Sequence, residues 1–378
     1  MTSNPSKKTT MTATSTPRRL SLFASATLLM LAGLPAYAKD NHDKGQYQQT
    51  NLVSDIAGLA LLQDTNLVNA WGISFSATSP FWVSANGTGR SVLYAVTNDA
   101  LGVAHVAKQS LEVTIPGEGT PTGQVFNNTG AFNGDVFIFA SEDGVISGWR
   151  GALGTAAEIL VNRSDAVYKG ITLATTPSGP VLLAANFAEG TVDAYDTNLT
   201  LVQYSDPDAP AGYAPFNVQS LDGMVFVTFA KQDSEKHDDV PGKGHGLIDV
   251  FDPQTGGFHR FATGSDAGGK LHAINSPWGM ALAPGTFGKH GDELLVGNFG
   301  SGTIMAFEAD GGFEGLLEDG HGKQPIVIDG LWGLAFGNGG RAGVPGTLYF
   351  SAGPDGESHG LFGSITPVMK HGHGHGDN

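Results

Sequence analysis

The amino-acid sequence predicts an all-β chain, a six-bladed β-propeller built from four-stranded antiparallel blades. Three observations predict it. Runs of about five apolar or β-prone residues alternate with turns rich in Gly, Asn, Asp and Pro, as antiparallel strands require. The runs fall into six similar groups at a spacing of about 45–60 residues, and self-similarity at that period marks a repeat architecture. The sixth group lacks a fourth strand, and one strand-like segment, 49–56, is left over before the first group. It can supply the missing strand and close the ring. A β-sandwich or jelly roll would not call for sixfold self-similarity.

The groups run in order along the chain. The first comprises 69–75, 81–86, 91–96 and 102–106, and the second 123–126, 135–141, 144–149 and 157–161. The third comprises 170–174, 181–186, 190–196 and 199–202. The fourth comprises 216–219, 224–229, 246–252 and 257–261, with a long insertion before its third strand. The fifth, 274–317, is the most regular, and one such meander cannot bury both faces without neighbours like itself. The sixth comprises 331–336, 346–351 and 360–365. These groups place the propeller at 49–368, after a flexible polar lead-in at 39–48 and before a His/Gly-rich tail at 369–378.

Residues 1–38 read differently. Lys7, Lys8, Arg18 and Arg19 precede a short apolar run and then Ala36-Tyr37-Ala38. A basic region, an apolar region and an A-x-A site make a secretory signal peptide, cleaved after Ala38. The Arg18-Arg19 pair raises a twin-arginine route, which the following residues fit poorly. Export to the periplasm or the exterior is therefore expected, with no stable membrane insertion once the leader is removed. No other stretch is long and apolar enough to span a bilayer.

The chain has 378 residues, 55 of them Gly, and no Cys. Without Cys, thiol catalysis, iron–sulfur clusters and Cys-bound zinc are excluded, and stability must come from core and strand pairing. With the leader set aside, 16 Lys and Arg face 36 Asp and Glu, a balance of −20. Nucleic acid and anionic membranes are poor partners for that charge. A small molecule, a glycan or a protein remains as partner, and a monomer is expected.

Three Trp-Gly pairs, Trp71-Gly72, Trp278-Gly279 and Trp332-Gly333, open inner strands, and 296–307 reads V-G-N-F-G-S-G-T-I-M-A-F. Together with 51–55 (N-L-V-S-D) and 66–72 (N-L-V-N-A-W-G), these strings resemble a family of uncharacterised exported bacterial β-propellers. Some of its members carry a PEP-type C-terminal sorting signal. The blades are more distantly similar to NHL repeats. The resemblance covers about 51–367 and implies the fold and export. It supplies no catalytic residues. This chain departs from the anchored members by ending in His371-Gly372-His373-Gly374-His375 rather than an apolar tail.

Antiparallel alternation puts the start of each inner strand and each turn between second and third strands on one face. The inner-strand starts carry Asn69, Tyr168, Asn217, Asn275 and Asp329, and the turns carry Asn86, Glu142, Asn186, Asn298 and Asp355. Oxygens of Asn69, Asn217, Asn275 and Asp329 converging on a channel mouth would hold Ca²⁺ or another divalent cation. Asn86, Tyr168, Asn186 and Asn298 are candidates to line the same mouth. Turns select Asn and Asp in any case, so turn chemistry alone also accounts for them. The insertion 232–245 overhangs this mouth, with His237, Asp238, Asp239 and His245 as metal-ligand types in what reads as a solvated, mobile acidic loop. The His-rich tail could bind Ni²⁺, Cu²⁺ or Zn²⁺ weakly, or simply be a low-complexity end. The tryptophans read as blade packing rather than as a sugar-stacking platform. No G-x-S-x-G, H-E-x-x-H or P-loop string occurs. Three functions stay open: a binding module acting through the mouth, a metal-dependent hydrolase or lyase such as a lactonase at the same mouth, and a structural component of an extracellular matrix.

Overall fold

Each inner strand is interrupted at the same place, and the interruption explains the architecture. A computed structural model describes Met1 and residues 46–264, 273–320 and 324–368. The leader, the first part of the lead-in and the His-rich tail lie outside the described residues. Among those described, six sheets of antiparallel strands form the propeller. The inner strands are Ala70–Ser74, Pro121–Phe126, Tyr168–Thr176, Tyr213–Leu221, Pro277–Leu282 and Leu331–Phe336. All six carry a break in register near their start: between Ala70 and Ile73, Pro121 and Gln124, Tyr168 and Gly170, Pro215 and Asn217, Pro277 and Met280, and Leu331 and Leu334. Such bulges bend a strand and re-aim a side chain.

Glycine stands at the break in five blades, because the next inner strand leaves no room for a side chain. A Cβ on Gly72 would lie 2.6 Å from the Thr122 carbonyl oxygen, and one on Gly123 would lie 2.7 Å from the Ile171 amide nitrogen. Gly170 abuts Asn217, Gly279 abuts the Trp332 carbonyl, and Gly333 would place a Cβ 2.6 Å from the Trp71 carbonyl oxygen. The circle is closed in the fourth blade by Asn217, whose Nδ2 donates to the Trp278 carbonyl at 2.8 Å. The repeated Trp-Gly pair is thus a packing device: glycine admits the neighbouring backbone, and the bulge turns the preceding side chain to the axis.

Apolar residues fill the gaps between blades. Six buried clusters each join two adjacent blades, for example Phe226 and Ile248 with Met280 and Val296, or Trp82 and Leu93 with Phe137 and Phe139. A seventh lies on the axis. The ring closes as the sequence implies. Gln46–Ser54 pairs antiparallel with Leu361–Pro367, as the outer strand of the sixth blade. This strand begins three residues before the segment assigned to the propeller from sequence, so Gln46, Tyr47 and Gln48 belong to the sheet rather than to the lead-in. Tyr47 is buried and donates its hydroxyl to the Phe287 carbonyl at 3.0 Å.

The inner ring should be intolerant of even one methyl group. Gly333→Ala is expected to lower stability by about 1–3 kcal/mol through overpacking, read from the urea midpoint. Gly151→Ala, at a site with open space around it, should change stability by less than about 0.5 kcal/mol.

Candidate functional site

The residues ahead of the ring positions are Trp71, Thr122, Lys169, Phe216, Trp278 and Trp332. Four are aromatic, and they meet on the axis. Trp71 and Trp332 stack with centroids 3.5 Å apart, and Trp278 stands edge-on to them at 5.9 and 5.7 Å. Phe299 stacks on the Trp332 ring at 3.9 Å, and Phe187 and Phe216 complete the cluster. The tryptophans therefore plug the channel, whereas the sequence reading had them packing within blades. Each aromatic pair adds about 0.5–1.5 kcal/mol beyond the area it buries.

Lys169 is the one charged residue of the six, and it is 1% exposed. Its Nζ lies 5.4 Å from the Trp71 ring centroid, a cation–π contact strengthened by the absence of water. The ammonium donates to Glu142 Oε1 at 2.5 Å and to Asp238 Oδ1 at 3.2 Å. Burial by itself pushes the Lys169 pKa down, but the charges of Glu142 and Asp238 reverse this and hold it above its ordinary value. The ammonium therefore keeps its proton at neutral pH. Burial likewise works against the Asp238 carboxylate, and Lys169 and His237 more than offset it, leaving its pKa lowered.

The network continues across blades. Asn86 Nδ2 donates to Glu142 Oε2 at 2.9 Å, and Asn69 Nδ2 to Asn86 Oδ1 at 3.3 Å. His237 Nδ1 lies 2.9 Å from Asp238 Oδ1. Two further carboxylic acids sit in the field of Lys169. Burial raises the pKa of Glu357, with Glu142 adding to the effect, and burial raises that of Asp239. Among the described residues, buried polar atoms without a hydrogen-bond partner here are the acceptors Asn69 Oδ1, Asp239 Oδ2 and Glu357 Oε1, the indole donors Trp71 Nε1 and Trp332 Nε1, and Ser276 Oγ.

The insertion 232–245 is an anchored strap rather than a freely solvated loop. Gln232 Nε2 donates to the Phe187 carbonyl, Gly242 N to Asn275 Oδ1 at 2.6 Å, and Gly244 N to the Ile274 carbonyl at 2.9 Å. His245 Nδ1 faces the Val240 carbonyl at 2.7 Å, inside the strap itself.

The residues assigned to the mouth from the sequence divide. Asn69, Asn86, His237 and Asp238 join the Lys169 network. Asn275, Asn298, Asn186 and Asp329 tie turns to strand starts. Asn275 N donates to Asn298 Oδ1 at 2.9 Å, Val167 N to Asn186 Oδ1 at 3.4 Å, and Asp355 N to Asp329 Oδ2 at 2.8 Å. Two residues lie elsewhere. Tyr168 points into the blade, with its hydroxyl 2.9 Å from Asp193 Oδ2 and 2.6 Å from the Tyr195 hydroxyl. Asn217 spends Nδ2 on the Trp278 carbonyl and Oδ1 on the Val218 amide. Of the set Asn69, Asn217, Asn275 and Asp329, three already make hydrogen bonds within the protein: Asn217 as above, Asn275 Oδ1 from Gly242 N, and Asp329 Oδ2 from Asp355 N. A different group, Glu142, His237 and Asp238, brings its ligand atoms within 4.8 Å of one another. Lys169, Glu142, Asp238, Asp239 and Glu357 are the ionisable groups that meet at the site. Glu142 was noticed as a turn residue, whereas Lys169 was missed. Aligning the six strand starts would have found it, since it stands where three blades have Trp.

No family model matches the chain. Two uncharacterised proteins of Acanthamoeba polyphaga mimivirus are similar to it. One is 29% identical over 344 residues, covering 83% of this chain and 84% of its own length. The other is 28% identical over 345 residues, covering 83% and 78%. Among solved structures, a protein of unknown function from Bacteroides thetaiotaomicron superposes with a TM-score of 0.51 at 9% identity, over 85% of this chain and 76% of that one. Virginiamycin B lyase from Staphylococcus aureus superposes with a TM-score of 0.46 at 13% identity, over 85% and 99%. The Bacteroides likeness is one of fold.

Removing the buried cation should expose how tightly the network is coupled. Lys169→Met is expected to destabilise the protein by about 3 kcal/mol, because it strands buried carboxylates. Adding Glu142→Gln should restore part of the loss. A double-mutant cycle by chemical denaturation is expected to return a coupling of about 1–3 kcal/mol.

Proposed function

We propose that this protein is an exported binding module whose ligand presents a cationic nitrogen to the mouth beside Lys169. One observation carries the reading. The carboxylates of Glu142, Asp238, Asp239 and Glu357 gather in the field of the single Lys169 ammonium, so the group that complements them is a donor. Four carboxylates against one lysine favour a donor that is also positive. An ammonium or guanidinium group, on a small molecule or on a protein surface, meets both demands. The leader read from the sequence supports export, and the acidity of the chain supports attraction of such a ligand over distance.

A divalent cation is the second reading, favoured by the grouping of Glu142, His237 and Asp238. It would support a metal-dependent hydrolase or lyase. Against it, two of the three groups, Glu142 and Asp238, already bond the Lys169 ammonium.

Calorimetric titration of the mature chain with cadaverine tests the first reading. Saturable binding that weakens with salt is expected, as is at least a tenfold loss in the double variant Asp239→Asn, Glu357→Gln. Affinity should fall on acidification, since the ligand needs ionised carboxylates. Because the pKa values of Asp239 and Glu357 are raised, the fall should begin above the ordinary carboxylate range of about 4. Absence of saturable heat would remove the reading. A stoichiometric divalent metal in tag-free protein, lost on Glu142→Gln, would establish the second one.

A further inference from the structure

We propose a second binding site on the same axis: the cavity beneath the tryptophan plug, which takes one neutral hydroxylated ring of monosaccharide size. The cavity has a volume of about 290 Å³ and is lined by residues of all six inner strands. That is near the lower end of the range for small-molecule pockets, about 300–1,000 Å³. The glycine ring and Trp278 close its inner end, while Phe75, Phe126, Gln219, Ser220 and Ala335 are half-buried where it opens away from the charged mouth.

Its chemistry selects the ligand. Among the described residues no ionisable side chain lines it, although 15% of the protein's residues are charged. A charged ligand would lose its hydration there and gain no counter-charge. The wall is mixed, however, and a hydrocarbon would leave polar atoms unpaired. Ser74 Oγ is buried against the cavity without a hydrogen-bond partner. Gln219 and Ser220 also line it, and their side chains make no bond to other described residues. The remaining polar side chains are committed: Gln124 Nε2 donates to the Gly72 and Trp82 carbonyls, and Thr172 Oγ1 accepts the Ser220 amide at 3.0 Å. A ring with hydroxyls at its edge and C–H groups on its face matches a wall that mixes the polar Ser74, Gln219 and Ser220 with the apolar Phe75, Phe126, Val125 and Ile171. This site is independent of the acidic mouth, since the plug separates the two.

The test is titration of the mature chain with methyl β-D-glucopyranoside, followed by saturation-transfer NMR and calorimetry, with gluconate as the charged comparison. Saturable binding of the glucoside and none of gluconate is expected. Ser74→Val should weaken binding about tenfold, the loss of one hydrogen bond to a buried hydroxyl. Ala335→Phe, which fills the cavity, should abolish it. Should Ala335→Phe fail to fold in a thermal melt, Ser220→Leu at the half-exposed rim is expected to abolish binding in its place. The variant Asp239→Asn, Glu357→Gln should bind the glucoside as the unmodified protein does. No saturable glucoside binding, equal binding of gluconate, or full binding in the cavity-filling variant would each overturn the proposal.

Discussion

The backbone contact between neighbouring inner strands is the constraint on which the rest of the molecule depends. Six strands can surround an axis this closely only where each presents hydrogen, or one tailored amide, to the next. Gly72, Gly123, Gly170, Gly279 and Gly333 present hydrogen, and Asn217 supplies the amide. The bulge at each of these positions follows from the same crowding, because a regular pleat would drive a side chain into the neighbouring strand. Once the bulge exists, the residue before it has nowhere to point but the axis. Large aromatic residues can then fill the channel from its rim, and three tryptophans do so.

Lys169 turns that packing device into a polar site. Placed where other blades carry Trp, it is forced into the same desolvated space. A lone ammonium there would lose its proton or unfold the site. Glu142 reaches it from the second blade's turn, and Asp238 must come from farther away, which is the physical role of the strap 232–245. The strap is held by its own anchors, so the Asp238 carboxylate arrives pre-positioned. Asp239 and Glu357 then follow as acids held in their neutral direction by burial. The site's negative excess is a consequence of neutralising one lysine from several blades at once.

The fold was legible because strand alternation, turn residues and the six-fold period are local signals that repeat, and because 49–56 had no other place to go. The mouth was legible as a location for the same reason: antiparallel alternation fixes which turns share a face. Its chemistry was less so. Asn275, Asn298 and Asp329 look like ligands in sequence, yet their oxygens serve turn amides, and nothing local separates the two uses. Tyr168 starts an inner strand, but the register break falls just after it and sends its ring into the blade toward Asp193 and Tyr195. Lys169 reads as a surface residue between Tyr168 and Gly170, since its burial depends on residues from other blades. Tertiary packing decides these cases, and only alignment of the six strand starts carries a trace of it.

The closure strand also reaches the mouth. Just past its end, Asp55 accepts hydrogen bonds from the Gly360 amide at 2.8 Å and faces His359 Nδ1 at 2.7 Å. Ser54 Oγ donates to the Gly360 carbonyl at 2.8 Å, and Asn69 N to the His359 carbonyl at 3.0 Å. These bonds fix the turn that carries Glu357. The partners are separated by about the whole propeller in sequence, and contacts of that range form late because the loop they close is long. Glu357 is also held within its own blade, its amide donating to the Gly353 carbonyl at 3.1 Å. The strand that supplies the sixth blade's outer edge thus also braces, through Asp55 and Ser54, the turn that brings the last carboxylate to the site.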